Sequence, residues 1–302
     1  MASKTQFPQV IGILMPGDMG HAVGAVLGEH GHDIVTCLSG RSETTRNRAQ
    51  KAGFRDAGSL DVLVSEADLI LSILPPASAK ELAEQVVHAI FSAKADVIYA
   101  DCNAVSPQTA KEIAAILTAT GAPFIDAGII GAAPGRSSPP RFYVSGADVS
   151  SLTALDGKGI SVIPIGDEVG KASAIKMAYA GLTKGTMTLH TAVLLAAFQL
   201  GVLDELLDEF RLSQPAALKV MQARTARLPA DAERWVGEME EIAATFRQAG
   251  VPDGFHEAAA EIFRILARTP YASETRETID PNRTLDEALV VFAEHLSGKE
   301  TS

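Results

Sequence analysis

Residues 9–48 read QVIGILMPGDMGHAVGAVLGEHGHDIVTCLSGRSETTRNR. Val10, Ile11, Ile13 and Leu14 form a short apolar run without charge, as a parallel strand buried on both faces requires. Pro16 and Gly17 turn the chain. Met19, Ala22, Val23, Val26 and Leu27 then recur at helical spacing and would pack back onto the strand. Ile34, Val35, Cys37 and Leu38 form a second buried strand. The stretch is a strand–helix–strand unit whose first turn opens directly into a helix. Such a turn is an anion site, because free backbone N–H groups and the positive end of the helix dipole converge on it.

The dinucleotide fingerprint G-x-G-x-x-G falls in register on Met15, Gly17 and Gly20, with its first glycine replaced. Gly17 still lets a pyrophosphate approach the backbone, and Gly20 still lets helix and strand pack closely. An ordinary Pro-Gly turn before a helix reads the same way, so the fingerprint alone does not decide. The end of the second strand adds to it. A free ribose 2′-hydroxyl is usually held by Asp or Glu about 20 residues into the motif, and Ile34 to Ser42 contains no acid. The loop is instead Ser39, Gly40, Arg41 and Ser42, with Arg46 one turn further on. A guanidinium and hydroxyls suit a 2′-phosphate, which a carboxylate would repel. The expected cofactor is therefore NADP (NADPH). Pro16, Gly17, Asp18, Met19 and Gly20 would lie at the pyrophosphate, and Arg41 and Ser42 at the 2′-phosphate. The plainer alternative is that Arg41 is a surface loop charge.

The chain has 302 residues, enough for a large core and two domains. A formal net charge of −11 speaks against nucleic acid as a partner. Cys37 and Cys102 make neither a disulfide framework nor a zinc motif. With no apolar signal core in MASKTQFPQ, a reduced, cytoplasmic protein is the expectation. The most apolar helical run, Ala192 to Leu203, is too short to span a membrane and contains Gln199.

Strand and helix alternate as far as Ile165. Leu69 to Leu74 is a strand stopped by Pro75 and Pro76, and Ala79 to Phe91 is a helix. Asp96 to Ala100 is a strand followed by Asp101, Cys102 and Asn103. Ser106 and Pro107 read as the cap and first position of a helix running to Leu117. Short strands follow at Phe124–Ile125, 142–144 and 162–165. This is an α/β pattern: a Rossmann-type, doubly wound, mostly parallel sheet. Ligands bind such sheets at the carboxyl ends of the strands, which places Leu14–Gly20, Leu74–Pro76 and Asp101–Asn103 on one rim. Leu74, Pro75 and Asn103 are accordingly read as cofactor contacts. After Gly166 no strand follows. Val169 to about Leu200 is one long helical pattern, with Ile175, Tyr179, Leu182, Thr186, Leu189 and Val193 on one face. Further helices follow from Pro215, over Asp231–Gln248 and over His256–Ala267. The expected division is a nucleotide domain, 1–166, and an all-helical substrate and dimerisation domain, 167–302, joined by the long helix.

Five segments in order resemble the 3-hydroxyacid dehydrogenase and 6-phosphogluconate dehydrogenase superfamily. They are IGILMPGDMG with Gly31 and His32, then ADLILSILPP, ADCNAVSPQTAKEIA, GAPFIDAGIIGAAPG and VGKASAIKMAYA, over about the first 200 residues. The resemblance implies a catalytic lysine at Lys176, six positions after Gly170. The chemistry agrees. Hydride transfer between nicotinamide and a carbon bearing oxygen also needs a proton moved on that oxygen. A partly desolvated lysine near a cationic ring would serve as its acid or base. The alternative is a solvated helix lysine. Lys184, about 80° round the same helix at 3.6 residues per turn, is a second candidate, for substrate.

Departures from the family pattern bear on substrate. The asparagine four residues after the lysine is Ala180, which cannot hydrogen-bond. The serine-glycine-glycine of the substrate loop is Ile130, Gly131 and Ala132. Asn103 and Ala104 stand where the family has serine and threonine, and Asn103 can still donate to substrate. A simple 3-hydroxy acid is not the expected substrate; a bulkier ketone, alcohol or imine fits a more apolar pocket. His21 is read as a helix-start residue facing solvent or satisfied locally, with a place near the pyrophosphate as the alternative; His256 is read as packing or capping, with reach into the interdomain cleft as the alternative; Trp235 is read as core or dimer interface. Glu238, Glu240 and Glu241 read as a solvated face with no metal site. The expectation is an NADP-dependent oxidoreductase on a hydroxyl or carbonyl, acting as a homodimer on a small molecule. The alternatives are an imine reductase on the same fold, against which Lys176 argues, and a non-catalytic NADP-binding protein, motivated by Ala180 and Ile130.

Overall fold

A computed structural model describes residues 7–135, 138–275 and 278–296. The opening MASKTQ therefore lies outside the described residues. The element order is β1 (Val10–Leu14), α1 (Asp18–Glu29), β2 (Asp33–Thr36), α2 (Glu43–Lys51), β3 (Arg55–Asp56), α3 (Leu60–Glu66), β4 (Leu69–Ser72), α4 (Ala79–Ala93), β5 (Ile98–Asp101), α5 (Pro107–Thr118), β6 (Phe124–Ile130), β7 (Arg141–Ser145), α6 (Ser150–Thr153) and β8 (Ser161–Pro164). Only helices follow among the described residues: α7 (Lys171–Leu200), α8 (Leu203–Ser213), α9 (Pro215–Arg224), α10 (Pro229–Gln248), α11 (Gly254–Ala267) and α12 (Leu285–Glu294), with short 3₁₀ turns between some of them.

The eight strands form one sheet in the order β3-β2-β1-β4-β5-β6-β7-β8. All neighbours are parallel except β6 and β7. The order reverses between β1 and β4, so that is the switch point where such sheets take ligands. The buried apolar runs of β1, β4 and β5 sit in the middle because helices cover both faces. Ser106 caps α5 as expected: its hydroxyl accepts from Thr109 N at 3.2 Å, with Pro107 in the first turn.

Two elements, β3 and α7, differ from the sequence reading. β3 has two residues, both exposed, and carries no apolar signal. The long helix begins at Lys171, not Val169. Its stripe of Ile175, Tyr179, Leu182 and Leu189 is exposed, Leu182 by 72%. Its buried residues include Met177, Leu194 and Leu195, and with them the small or polar Ala172, Ala180, Lys184, Thr188 and Thr191. Small side chains permit close helix packing, and a threonine hydroxyl satisfies itself on the helix backbone, as Thr188 does on the Gly185 carbonyl.

The chain divides into two compact units, residues 1–177 and 178–302. The division falls inside α7, past the last strand at Pro164, because the first turns of α7 are tied to β6. The second unit is helical. In it α10 and α11 pack through Trp235 and Phe263, ring centroids 5.3 Å apart and edge to face. No helix among the described residues is long and apolar enough to cross a membrane.

Candidate cofactor and catalytic site

Parallel strands bring the ends of β2, β1, β4, β5 and β6 to one rim of the first unit, in that order. At the end of β1 the chain turns through Met15, at φ +66°. This is the left-handed region, rare outside glycine. Methionine thus keeps the conformation that the missing fingerprint glycine would have supplied. The Gly17 amide donates to Met15 O at 2.7 Å, closing the turn. Gly17 is the N-cap of α1 and brings no side chain to cap it. A β carbon on Gly20 would lie 2.6 Å from Met15 O, so only glycine lets the helix start this close to the turn. A β carbon on Gly17 would meet nothing nearer than 4.0 Å, which leaves open space in front of the amides. His21 Nδ1 sits 2.6 Å from the Gly17 carbonyl, satisfied locally as expected.

At the end of β2, Arg41 is half-buried and its Nε has no hydrogen-bond partner among the described residues. Arg46 Nε donates to the Arg41 carbonyl at 3.2 Å, which draws a second guanidinium to the same loop. An orphaned guanidinium nitrogen and an uncapped helix start, each following one of two adjacent parallel strands, fit a phosphorylated nucleotide. Ser42 is occupied differently: its hydroxyl caps α2 by accepting from Thr45 N at 3.3 Å.

At the ends of β4 and β5, Asn103 is buried and spans both. Its Oδ1 accepts from Leu74 N at 2.7 Å and its Nδ2 donates to Ser72 Oγ at 3.1 Å. Its own amide donates to Asp101 Oδ1 at 3.0 Å. Asn103 therefore holds the Leu74–Pro75 segment to the rim. Burial, with Asp101 and Asp126 nearby, pushes the Cys102 thiol well up, so it stays protonated and inert. At the end of β6, Ile130 is buried, whereas Gly131 and Ala132 are exposed. Gly131 takes φ +122°, where a side chain would be strained.

Lys176 sits in the second turn of α7, partly buried, in the first unit. Two residues of β6 that the sequence reading passed over bear on its placement. The buried Asp126 carboxylate accepts from Gly170 N at 2.8 Å, Ala172 N at 3.1 Å and Ser173 N at 3.1 Å. It also accepts from Ser173 Oγ at 2.7 Å and Ser145 Oγ at 3.1 Å. A β carbon on Gly128 would stand 2.5 Å from Ala172 O and 2.8 Å from Lys176 Cβ. The available signal was an acid and a glycine inside an apolar strand, both depleted in strands.

Ala180 and Lys184 belong to the second unit, where both are buried. Lys184 Nζ donates to Glu238 Oε2 at 2.6 Å and lies 5.4 Å from the centre of the Trp235 ring. Glu238, read as part of a solvated face, is only 5% exposed. It faces inward because Lys184 neutralises it there. His256 is buried between Phe246 and Phe255, against Gly181 and Gly185 of α7. Desolvation lowers its pKa, and Nδ1 makes no hydrogen bond among the described residues. Packing is its role here. No group of three or more His, Cys, Asp or Glu among the described residues could hold a metal.

Residues 10–155 match the NAD binding domain of 6-phosphogluconate dehydrogenase, and residues 197–266 match a domain of unknown function, DUF1932. An uncharacterized 28.5 kDa protein of Methanothermus fervidus is 31% identical over 176 residues, 58% of this chain and 66% of that protein. A probable mitochondrial 3-hydroxyisobutyrate dehydrogenase of Dictyostelium discoideum is 25% identical over 179 residues, 58% of this chain and 55% of its own. The chain thus spans less than two thirds of the curated relatives it matches. Among solved structures, a conserved protein of unknown function, described as structurally similar to 3-hydroxyacid dehydrogenases, superposes with a TM-score of 0.62 at 27% identity. That match covers 85% of this chain and 96% of the other. The chain thus carries an NAD binding domain of the 6-phosphogluconate dehydrogenase type over residues 10–155, with a DUF1932 domain following in its helical part.

Proposed function

We propose that the protein is an NADP-dependent oxidoreductase acting on a hydroxyl or carbonyl carbon, with Lys176 as the general acid and base. The observation that carries it is Lys176 packed on β6, on the sheet whose strand ends also carry the Met15–Gly20 turn and Arg41. NADPH, when bound, supplies the hydride. The amides of the Gly17–Gly20 turn would hold the pyrophosphate, and Arg41 the 2′-phosphate. Asn103 keeps the Leu74–Pro75 segment in place. Lys176 would donate a proton to the carbonyl oxygen during reduction and take it back in oxidation. Ile130, at the end of β6, brings no polar group, so the favoured substrate is an apolar ketone or alcohol rather than a simple 3-hydroxy acid.

With substrate found by screening carbonyls and imines under NADPH, Lys176→Ala is expected to lower turnover about 10²- to 10⁴-fold. NADPH affinity should stay within about twofold in the same variant. Full turnover in the variant would end the acid–base assignment and favour a protein that binds NADP without using Lys176.

Cofactor choice has its own test. By nucleotide fluorescence titration the wild type should bind NADPH at least about tenfold more tightly than NADH. Arg41→Glu should remove that preference, since a charge-assisted hydrogen bond of about 1.5–3 kcal/mol corresponds to roughly 10- to 100-fold. An unchanged NADPH affinity in Arg41→Glu would assign Arg41 to the surface.

The helical unit supports a homodimer. Tyr179, Leu182 and Leu189 form an exposed apolar edge of α7, joined by Phe255 next to Gly185. From Gly185 to Leu203 the chain has no charged residue. An uncharged, apolar edge of this kind favours contact with a like surface over water. Sedimentation at micromolar protein should give twice the chain mass, and Leu182→Glu should give the single chain. A wild type that sediments as one chain would refute the dimer.

A further inference from the structure

The strand β6 reads FIDAGII, and its two misfits lie two residues apart. Residues at i and i+2 share a face of a strand. Asp126 and Gly128 therefore present an acid and a bare backbone to the same neighbour, and that neighbour is the start of α7. A long helix leaves its first N–H groups without internal partners and concentrates positive potential there. The Asp126 carboxylate, 1% exposed, takes up the amides of Gly170, Ala172 and Ser173 together with the Ser173 hydroxyl. This fixes the helix along its axis. Ser145 Oγ, from β7, donates to the same carboxylate and accepts from Ala172 N at 3.1 Å.

Gly128 fixes the other coordinate. With no β carbon, β6 lets the Ala172 carbonyl and the Lys176 β carbon come closer than any side chain would permit. The two contacts bracket about one turn of helix, from Ala172 to Lys176. An ordinary helix lysine needs neither a buried carboxylate nor a strand glycine to hold its backbone.

We propose that Asp126 and Gly128 are positioning residues that set the location of the Lys176 amine at the strand rim. The proposal rests on Lys176 being the acid–base group, but its placement can be read without any substrate. Each amine's rate of acylation as a function of pH, followed by peptide mass spectrometry in the full-length protein, reports its surroundings. Gly128→Ala should shift the Lys176 acylation midpoint by at least about half a pH unit, a threefold change in protonation equilibrium. The profile of exposed Lys219, remote in sequence, should not move. NADPH affinity should remain within about twofold. Where turnover is available, kcat should fall at least about 30-fold with little change in KM.

Ser173→Ala removes one hydrogen bond to Asp126 without adding bulk, and should shift the profile by a smaller amount. It keeps the test open should Gly128→Ala fail to fold. Alanine on a free strand face would be neutral or favourable relative to glycine, so a silent substitution has a clear meaning. Wild-type Lys176 profiles in folded Gly128→Ala, or in Ser173→Ala if that is the variant that folds, overturn the positioning role. A shifted profile alongside full turnover in Lys176→Ala would instead retain the placement and remove the catalytic reading.

Discussion

Gly20→Ala is expected to abolish NADPH binding, raising the dissociation constant by at least about 100-fold, or roughly 2.7 kcal/mol. The added β carbon would stand 2.6 Å from Met15 O and 3.4 Å from Ile13 Cγ2. The nearer atom is backbone and cannot rotate aside. Either α1 retreats from the sheet or the Met15 turn opens. Both move the amides that would receive a pyrophosphate. Overpacking of this kind typically costs about 1–3 kcal/mol, so the melting temperature should fall as well. Gly17→Ala is the matched comparison. Its β carbon would meet no atom nearer than 4.0 Å, so the fold should keep its stability. If a phosphate does come against Gly17, affinity should fall there with no loss of melting temperature. Nucleotide fluorescence titration and a thermal scan on both variants give all four values. Wild-type NADPH binding by Gly20→Ala would show that the turn is not where the cofactor sits.

The Met15 turn also shows how far a sequence pattern reaches. The glycine fingerprint was legible through its second and third positions, Gly17 at the N-cap of α1 and Gly20, where only a missing β carbon clears the Met15 carbonyl. Met15 obscured the first, since nothing in a methionine announces φ +66°. The strands β1, β4 and β5 were legible because each is buried on both faces and so reads as a continuous apolar run. β3 was not, because Arg55 and Asp56 are exposed and pair only with β2 at the sheet edge. Hydrophobic periodicity placed α7 but not its buried side. Ala172, Ala180, Thr188 and Thr191 pack inward because they are small, while Tyr179 and Leu182 remain outside.

The candidate site divides in the same way. Lys176 is legible because a whole motif surrounds it. Its supports are not, because Asp126 and the amides it accepts from lie 44 to 47 residues apart in sequence. Only the fold brings them together, although an acid and a glycine in a buried strand are a warning that something other than strand propensity chose them. Glu238 was misread because charge neighbours along a helix suggest solvent. Its partner Lys184 is 54 residues away.

That pair carries the second large effect. Lys184→Met should destabilise the protein by about 3–5 kcal/mol, because it leaves the Glu238 carboxylate buried without its principal counter-charge. For a chain of this size that is a fall in melting temperature of order 10 °C. Arg234 Nη1, 3.7 Å from Glu238 Oε1 and partly exposed, would offset some of the loss. The deficit should narrow from pH 8 to pH 5. A carboxyl buried without a cation favours its neutral form, so the folded variant takes up a proton more readily than the unfolded chain and gains stability as pH falls. Lys184→Met combined with Glu238→Leu should recover most of the melting temperature, since apolar replacement of a buried pair is often neutral. The double variant also separates the two roles open to Lys184. If the lysine only neutralises Glu238, the stabilised double variant should keep the wild-type KM for whatever substrate is found. If Lys184 also touches substrate, KM should rise in the single and the double variant alike, and restored stability would not bring it back.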